Sequence, residues 1–134
     1  MDAAADEALG RRVPAALPVR SPPGLPEVLL HLAGPGSRLA ALCAEAGSEA
    51  APYWAHVWGG GLALARFLFD HPRIARGRRV VDLGAGGGVA ALAAAMTGAA
   101  RVVAVDRDAL AAVTCRLNAG LNGMALATVV GDAL

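Results

Sequence analysis

Asp82, Gly84, Gly86 and Gly88 stand two residues apart in the stretch VVDLGAGGGVAALAAA, Val80–Ala95, and Gly87 loosens the run further. Glycine loses more backbone freedom on folding than any other residue, so a cluster in an aliphatic segment implies a steric demand. A glycine turn between strand and helix bares backbone N–H groups at a helix N-terminus and lets the chain approach a ligand. Two spacings compete. Gly86, Gly88 and Ala91, with Asp106 twenty residues after Gly86, fit the G-x-G-x-x-G/A dinucleotide fingerprint. Laid on Gly84 and Gly86, that fingerprint fails, because Val89 takes the third place. The pattern acid-x-Gly-x-Gly-x-Gly, on Asp82, Gly84, Gly86 and Gly88, uses every unusual residue. Asp106 and Asp132 then put acids at two further strand ends. A carboxylate in a segment as apolar as Val80–Leu83 needs partners. Asp106 and Asp132 also have plainer readings, as a helix-capping acid and a solvated acid.

These residues need a parallel sheet to carry them. VVDLGA, RVVAVD and ATVVGDAL read as strands. GVAALAAAMTG, closed by Gly98, and DALAAVTCRLNAGLNG, closed by Asn122-Gly123, read as the helices between them. Short connections predict parallel strands, right-handed crossovers and a ligand outside the strands' carboxyl ends. The expected class is α/β, the first half of a Rossmann-like doubly wound parallel sheet: three βα strands plus N-terminal helices. One side of the first strand is left unpaired, so the chain reads as a fragment of a longer protein or one that a partner completes. Residues 1–24, with Pro14, Pro18, Pro22 and Pro23, predict a disordered Ala/Pro-rich tail before a domain over 25–134. Within the domain, PEVLLHLA is strand or helix, and GSRLAALCAEAG is a helix between Ser37 as N-cap and Gly47 as stop. PYWAHVWGGGLALARFLFDHP is a loop entering a mostly buried helix that Pro72 ends.

The bulk composition narrows the classes. A 134-residue chain with 56% hydrophobic and 17% charged residues reads as one soluble globular domain. A net charge of +1 without a basic stripe predicts no nucleic-acid partner. No apolar run reaches the ~18 residues of a membrane helix, so no membrane partner is expected. Asp2, Asp6 and Glu7 precede Arg11 and Arg12, which suits neither a secretory signal nor a transit peptide. Cys43 and Cys115 are far apart and match no metal or redox spacing; idle thiols and a cytoplasmic location are expected.

The acid-glycine pattern Asp82-x-Gly84-x-Gly86-x-Gly88 resembles the first motif of class I S-adenosylmethionine-dependent methyltransferases. PEVLLHLA, PYWAHVWGGGLALARFLFDHP, RGRRVVDLGAGGGVAALAAAMTGAARVVAVDRD and NAGLNG follow one another at a spacing that resembles a narrower group. That group is the lysine methyltransferases acting on the electron-transfer flavoprotein β subunit, with their bacterial relatives, itself similar to the ribosomal protein L11 methyltransferases. The resemblance covers roughly residues 25–134 and implies S-adenosyl-L-methionine as cofactor. It implies Asp82 at the methionine end, Asp106 on the ribose hydroxyls and Asp132 near the adenine amine, with Gly84, Gly86 and Gly88 admitting the ligand. Trp54 and Trp58 would lie over the site, with Gly60 and Gly61 opening the next helix. The implied substrate is protein lysine, on an electron-transfer flavoprotein β subunit or a ribosomal protein. From the residues alone, Trp58 is equally a core anchor, and His56 is a structural histidine or a base. Gly59 departs from the family's proline, and the acidic-aromatic substrate motif after a fourth strand has no counterpart here, so no catalytic residue is assigned. An NAD(P)-binding oxidoreductase fragment and a truncated, catalytically inactive cofactor-binding fold are the alternatives.

Overall fold

The computed structural model describes residues 3–132. Ala3–Ala16 forms helix α1, where the prolines predict a tail. Met1 and Asp2 of that expected tail lie outside the described residues. Only Pro14 falls inside the helix, in its last turn, and the residues before it are mostly good helix formers. The helix is docked: Val13, Ala16 and Leu17 are buried in one cluster with Leu42, Leu110 and Val113. Residues 17–32 continue as structure. Val19–Arg20 (β1) pairs antiparallel with Leu30–His31 (β2), and Leu25 and Val28 between them are fully buried. PEVLLHLA thus contributes a two-residue strand.

Helix α2, Leu39–Glu45, begins one residue later than a Ser37 cap would set it. The Ser37 N–H bonds the Gly34 carbonyl in a turn, and the Arg38 N–H bonds Ala16, so no side chain caps this helix. A 3-10 turn, Tyr53–Ala55, leads into α3, Gly59–Asp70. The body of α3 is one-faced and not mostly buried: Ala65 and Leu68 are inside, while Leu64 and Phe67 are exposed. Pro72 opens a second 3-10 turn, Pro72–Ile74.

The parallel sheet follows the expected order. Arg79–Leu83 (β3), α4 (Val89–Met96), Arg101–Asp106 (β4), α5 (Ala109–Leu121) and Ala127–Val130 (β5) alternate, and the strands lie β3-β4-β5. Register places Val80 beside Val102 and Asp82 beside Ala104, on the face whose β4 residues Val102 and Ala104 are buried. Two right-handed crossovers running in one direction put both helices on that face. Val81, Leu83 and Val129 belong to the other face, where they are 60%, 63% and 47% exposed.

Candidate functional site

The loop from β3 to α4 is shaped by three left-handed residues: Gly84, Gly86 and Gly88 have φ of +70°, +54° and +88°. The alternate spacing seen in the sequence is therefore a backbone pattern. Gly88 carries two constraints at once. A side chain there would be strained, and its Cβ would collide with the Cys115 sulfur. As N-cap of α4, Gly88 offers no side-chain acceptor to the helix. Asp82 fills that role from the strand, its Oδ2 accepting the Ala91 N–H at 3.0 Å. Burial raises the Asp82 carboxyl above its ordinary value; the Ala91 N–H opposes this, and the Asp106 charge adds to it. Burial likewise pushes the Cys115 thiol up to about 12, with the Asp82 charge adding to the shift.

Asp106 ends β4 one step above Asp82, at the level of the loop. Its Oδ2 accepts the Gly86 N–H at 2.8 Å and its Oδ1 accepts the Asp108 N–H at 3.0 Å. The helix-capping part belongs to Asp108, whose Oδ1 accepts the Leu110 N–H at 2.8 Å. Each Asp106 oxygen retains a second lone pair for a ligand hydroxyl. Beyond β5, the Gly131 N–H bonds the Asp106 carbonyl and places Asp132 at the same end of the sheet.

An open cleft of about 920 Å³ lies outside these strand ends. Gly84, Gly86, Asp106, Asp132 and Trp58 line it; Asp82, Gly88 and Gly60 are not among its lining residues. The glycine of α3 that reaches the cleft is Gly61, where a Cβ would come within 3.1 Å of Val89. Asp82 and Gly88 act on the loop from behind. Trp58 is 57% exposed and so no core anchor; its indole N–H bonds the Tyr53 carbonyl at 3.0 Å. Tyr53 meets Trp58 edge to face at 5.6 Å, and His56 lies 6.1 Å from the same ring. Trp54 is buried against the loop, its carbonyl 3.1 Å from where a Gly87 Cβ would sit. Among the described residues its indole N–H has no acceptor.

The sequence reading missed Leu9 of α1, and it missed Glu49 and Asp108 as cleft residues. Leu9 carries no signal beyond an apolar position in a helix, while Asp108 follows a strand end as N-caps do. Glu49, Asp106, Asp108 and Asp132 outnumber Arg107 in the lining, which favours a cationic or zwitterionic ligand. No group of three or more His, Cys, Asp or Glu among the described residues could hold a metal ion. No helix among them is long and apolar enough to cross a membrane.

These residues fit a class I methyltransferase cofactor. The loop offers close backbone approach, Asp106 has lone pairs for a ribose, and Trp54 supplies a buried unpaired N–H. Comparison with known proteins agrees. The family model described as ribosomal protein L11 methyltransferase (PrmA) matches residues 67–133. The electron transfer flavoprotein β subunit lysine methyltransferase of Xenopus laevis is 48% identical over 104 residues, 78% of this chain and 42% of the relative. The protein of that name from Homo sapiens is 43% identical over 97 residues, 72% of this chain and 37% of the relative. Among solved structures, the T. thermophilus 16S rRNA N2 G1207 methyltransferase (RsmC), in complex with AdoMet and guanosine, superposes with a TM-score of 0.58. It shows 25% identity and covers 87% of this chain and 27% of its own. The chain spans about two fifths of the length of the curated relatives it matches. With half its length matched by one family model, the chain belongs to the ribosomal protein L11 methyltransferase family.

Proposed function

We propose that this chain forms the cofactor-binding part of an S-adenosylmethionine-dependent methyltransferase acting on protein lysine. The observation that carries the reading is the Asp82 carboxylate bonded to the Ala91 N–H at the start of α4. A nicotinamide dinucleotide would place its pyrophosphate at that helix terminus, where the Asp82 carboxylate already holds the Ala91 N–H. A sulfonium cofactor with a zwitterionic amino-acid end brings no phosphate, and the acidic lining suits its positive charge.

S-adenosylmethionine, when bound, supplies an electrophilic methyl group for in-line transfer to an amine. The chain's own part is to bind and orient. Asp106 accepts the ribose hydroxyls with its free lone pairs, while its bonds to Gly86 and Asp108 hold the carboxylate still. Gly84 and Gly86 bring backbone to the ligand, and Asp132, which lines the cleft beyond β5, takes the adenine amine. Trp58 and Tyr53 wall the mouth of the cleft with aromatic surface. Asp82 and Gly88 shape the loop without lining the cleft.

The relatives' names support a protein substrate, an electron-transfer flavoprotein β subunit or a ribosomal protein. The two free thiols support a reducing, cytoplasmic setting. The test is incubation of the protein with radiolabelled S-adenosylmethionine and each candidate substrate, followed by mass spectrometry. Addition of one methyl mass to a substrate lysine is expected. Transfer to neither substrate, or only to a nucleic acid, overturns the lysine reading.

A further inference from the structure

We infer that Asn118 is a positioning residue for the cofactor loop, tying Gly87 to His31 of β2; the inference rests on the methyltransferase reading above. Asn118 is fully buried in α5. Its Nδ2 donates to the Gly87 carbonyl at 2.8 Å. Its Oδ1 accepts the His31 backbone N–H at 2.8 Å and faces His31 Nδ1 at 3.0 Å. One amide orientation alone gives a donor to the carbonyl and an acceptor to the backbone N–H, which fixes Oδ1 toward His31. His31 Nδ1 therefore carries its proton and donates.

Three segments far apart in sequence meet on this one amide. Leu30 and Leu32, either side of His31, line the cleft, as do Gly86 and Gly87. Asn118 thus fixes the distance between the N-terminal wall and the glycine loop. The amide supplies the donor and the acceptor that this position uses. An aspartate would keep the acceptor for His31 but set a carboxylate oxygen against the Gly87 carbonyl.

Asn122, one turn later on α5, provides a built-in control. Its Oδ1 accepts the Leu29 N–H at 2.9 Å, and its Nδ2 donates to the Leu29 and Asn118 carbonyls, each at 2.7 Å. It therefore clamps the same N-terminal segment without a hydrogen bond to the loop, at a more exposed site. The experiment compares Asn118→Asp with Asn122→Asp in the full chain. It uses amide hydrogen exchange at Gly84–Gly88 without ligand, and titration with S-adenosylhomocysteine. Asn118→Asp is expected to speed exchange in the loop and weaken S-adenosylhomocysteine about tenfold, the scale of one lost buried hydrogen bond. Asn122→Asp is expected to leave both readings within about twofold while still lowering thermal stability. Equal effects of the two variants, or native exchange and affinity in Asn118→Asp, would overturn the assignment.

If Asn118→Asp fails to fold, Asn118→Ala carries the test: it removes the bonds to Gly87 and His31 without adding a charge, and exchange at Gly87 and Gly88 should rise; unchanged exchange overturns the assignment. Wild-type protein that does not bind S-adenosylhomocysteine defeats the cofactor reading instead, and the exchange comparison still decides whether Asn118 positions the loop.

Discussion

Asp82 sits on the helix-covered face of β3, and its carboxylate stands where the left-handed Gly88 leaves α4 without a side-chain cap. Because burial raises its carboxyl, the folded chain holds the proton more tightly than the unfolded one does. Stability therefore falls as pH rises from the ordinary value of 3.8 through the raised folded value, and the loss is complete above it. Urea unfolding across this range should show a descending limb in the wild type that Asp82→Asn flattens. At neutral pH Asp82→Asn should be at least as stable as wild type, since an amide oxygen still accepts the Ala91 N–H without a buried charge. Asp82→Ala, which leaves that N–H unpaired, should lose about 1 kcal/mol. Gly88→Ala should cost more, about 2 kcal/mol or above, through left-handed strain and collision with Cys115. Adding Cys115→Ala should restore only the steric share, which denaturation midpoints would separate from the backbone share. That Asp82 and the glycines are unusual was legible from spacing. That Asp82 holds a helix and does not face the cleft was not, because that depends on which side of β3 the helices pack.

At the scale of elements, strands and helices after residue 78 were legible because apolar runs alternate with glycine stops, each with one reading. β4 matches RVVAVD residue for residue, and Gly98 and Gly123 end their helices in the left-handed region as expected. The N-terminal elements differ from the expected tail for a specific reason: of Pro14, Pro18, Pro22 and Pro23, only Pro14 falls within the helix-forming run. What then holds α1 is tertiary: Val13 and Leu17 against Leu42, Leu110 and Val113. The Arg116–Asp6 ion pair is too exposed to contribute much. Leu17→Ala should therefore cost about 2–4 kcal/mol in urea unfolding, whereas Asp6→Ala should stay within about 0.5 kcal/mol. A Leu17→Ala variant as stable as wild type would mean that α1 is not docked. The contribution of α1 to the cleft, through Leu9, was beyond sequence reading for the same reason.

The whole molecule is asymmetric about its sheet. One face packs against α4 and α5, and the other presents Val81, Leu83 and Val129. Val81→Thr should accordingly change stability by less than about 0.5 kcal/mol, whereas Val102→Thr, its hydroxyl buried under the helices, should cost about 1–3 kcal/mol. Equal costs in urea unfolding would contradict the one-sided packing. The cleft belongs to the same architecture, since β3, β4 and β5 all end at it and Asp106 links the glycine loop to the start of α5. Calorimetric titration with S-adenosylhomocysteine, the demethylated form of the cofactor, decides whether this cleft takes an S-adenosylmethionine-type ligand. One molecule should bind per chain, NADH should not displace it, and Asp106→Ala should abolish the binding. A chain that ignores S-adenosylhomocysteine, or releases it to NADH, would contradict the account.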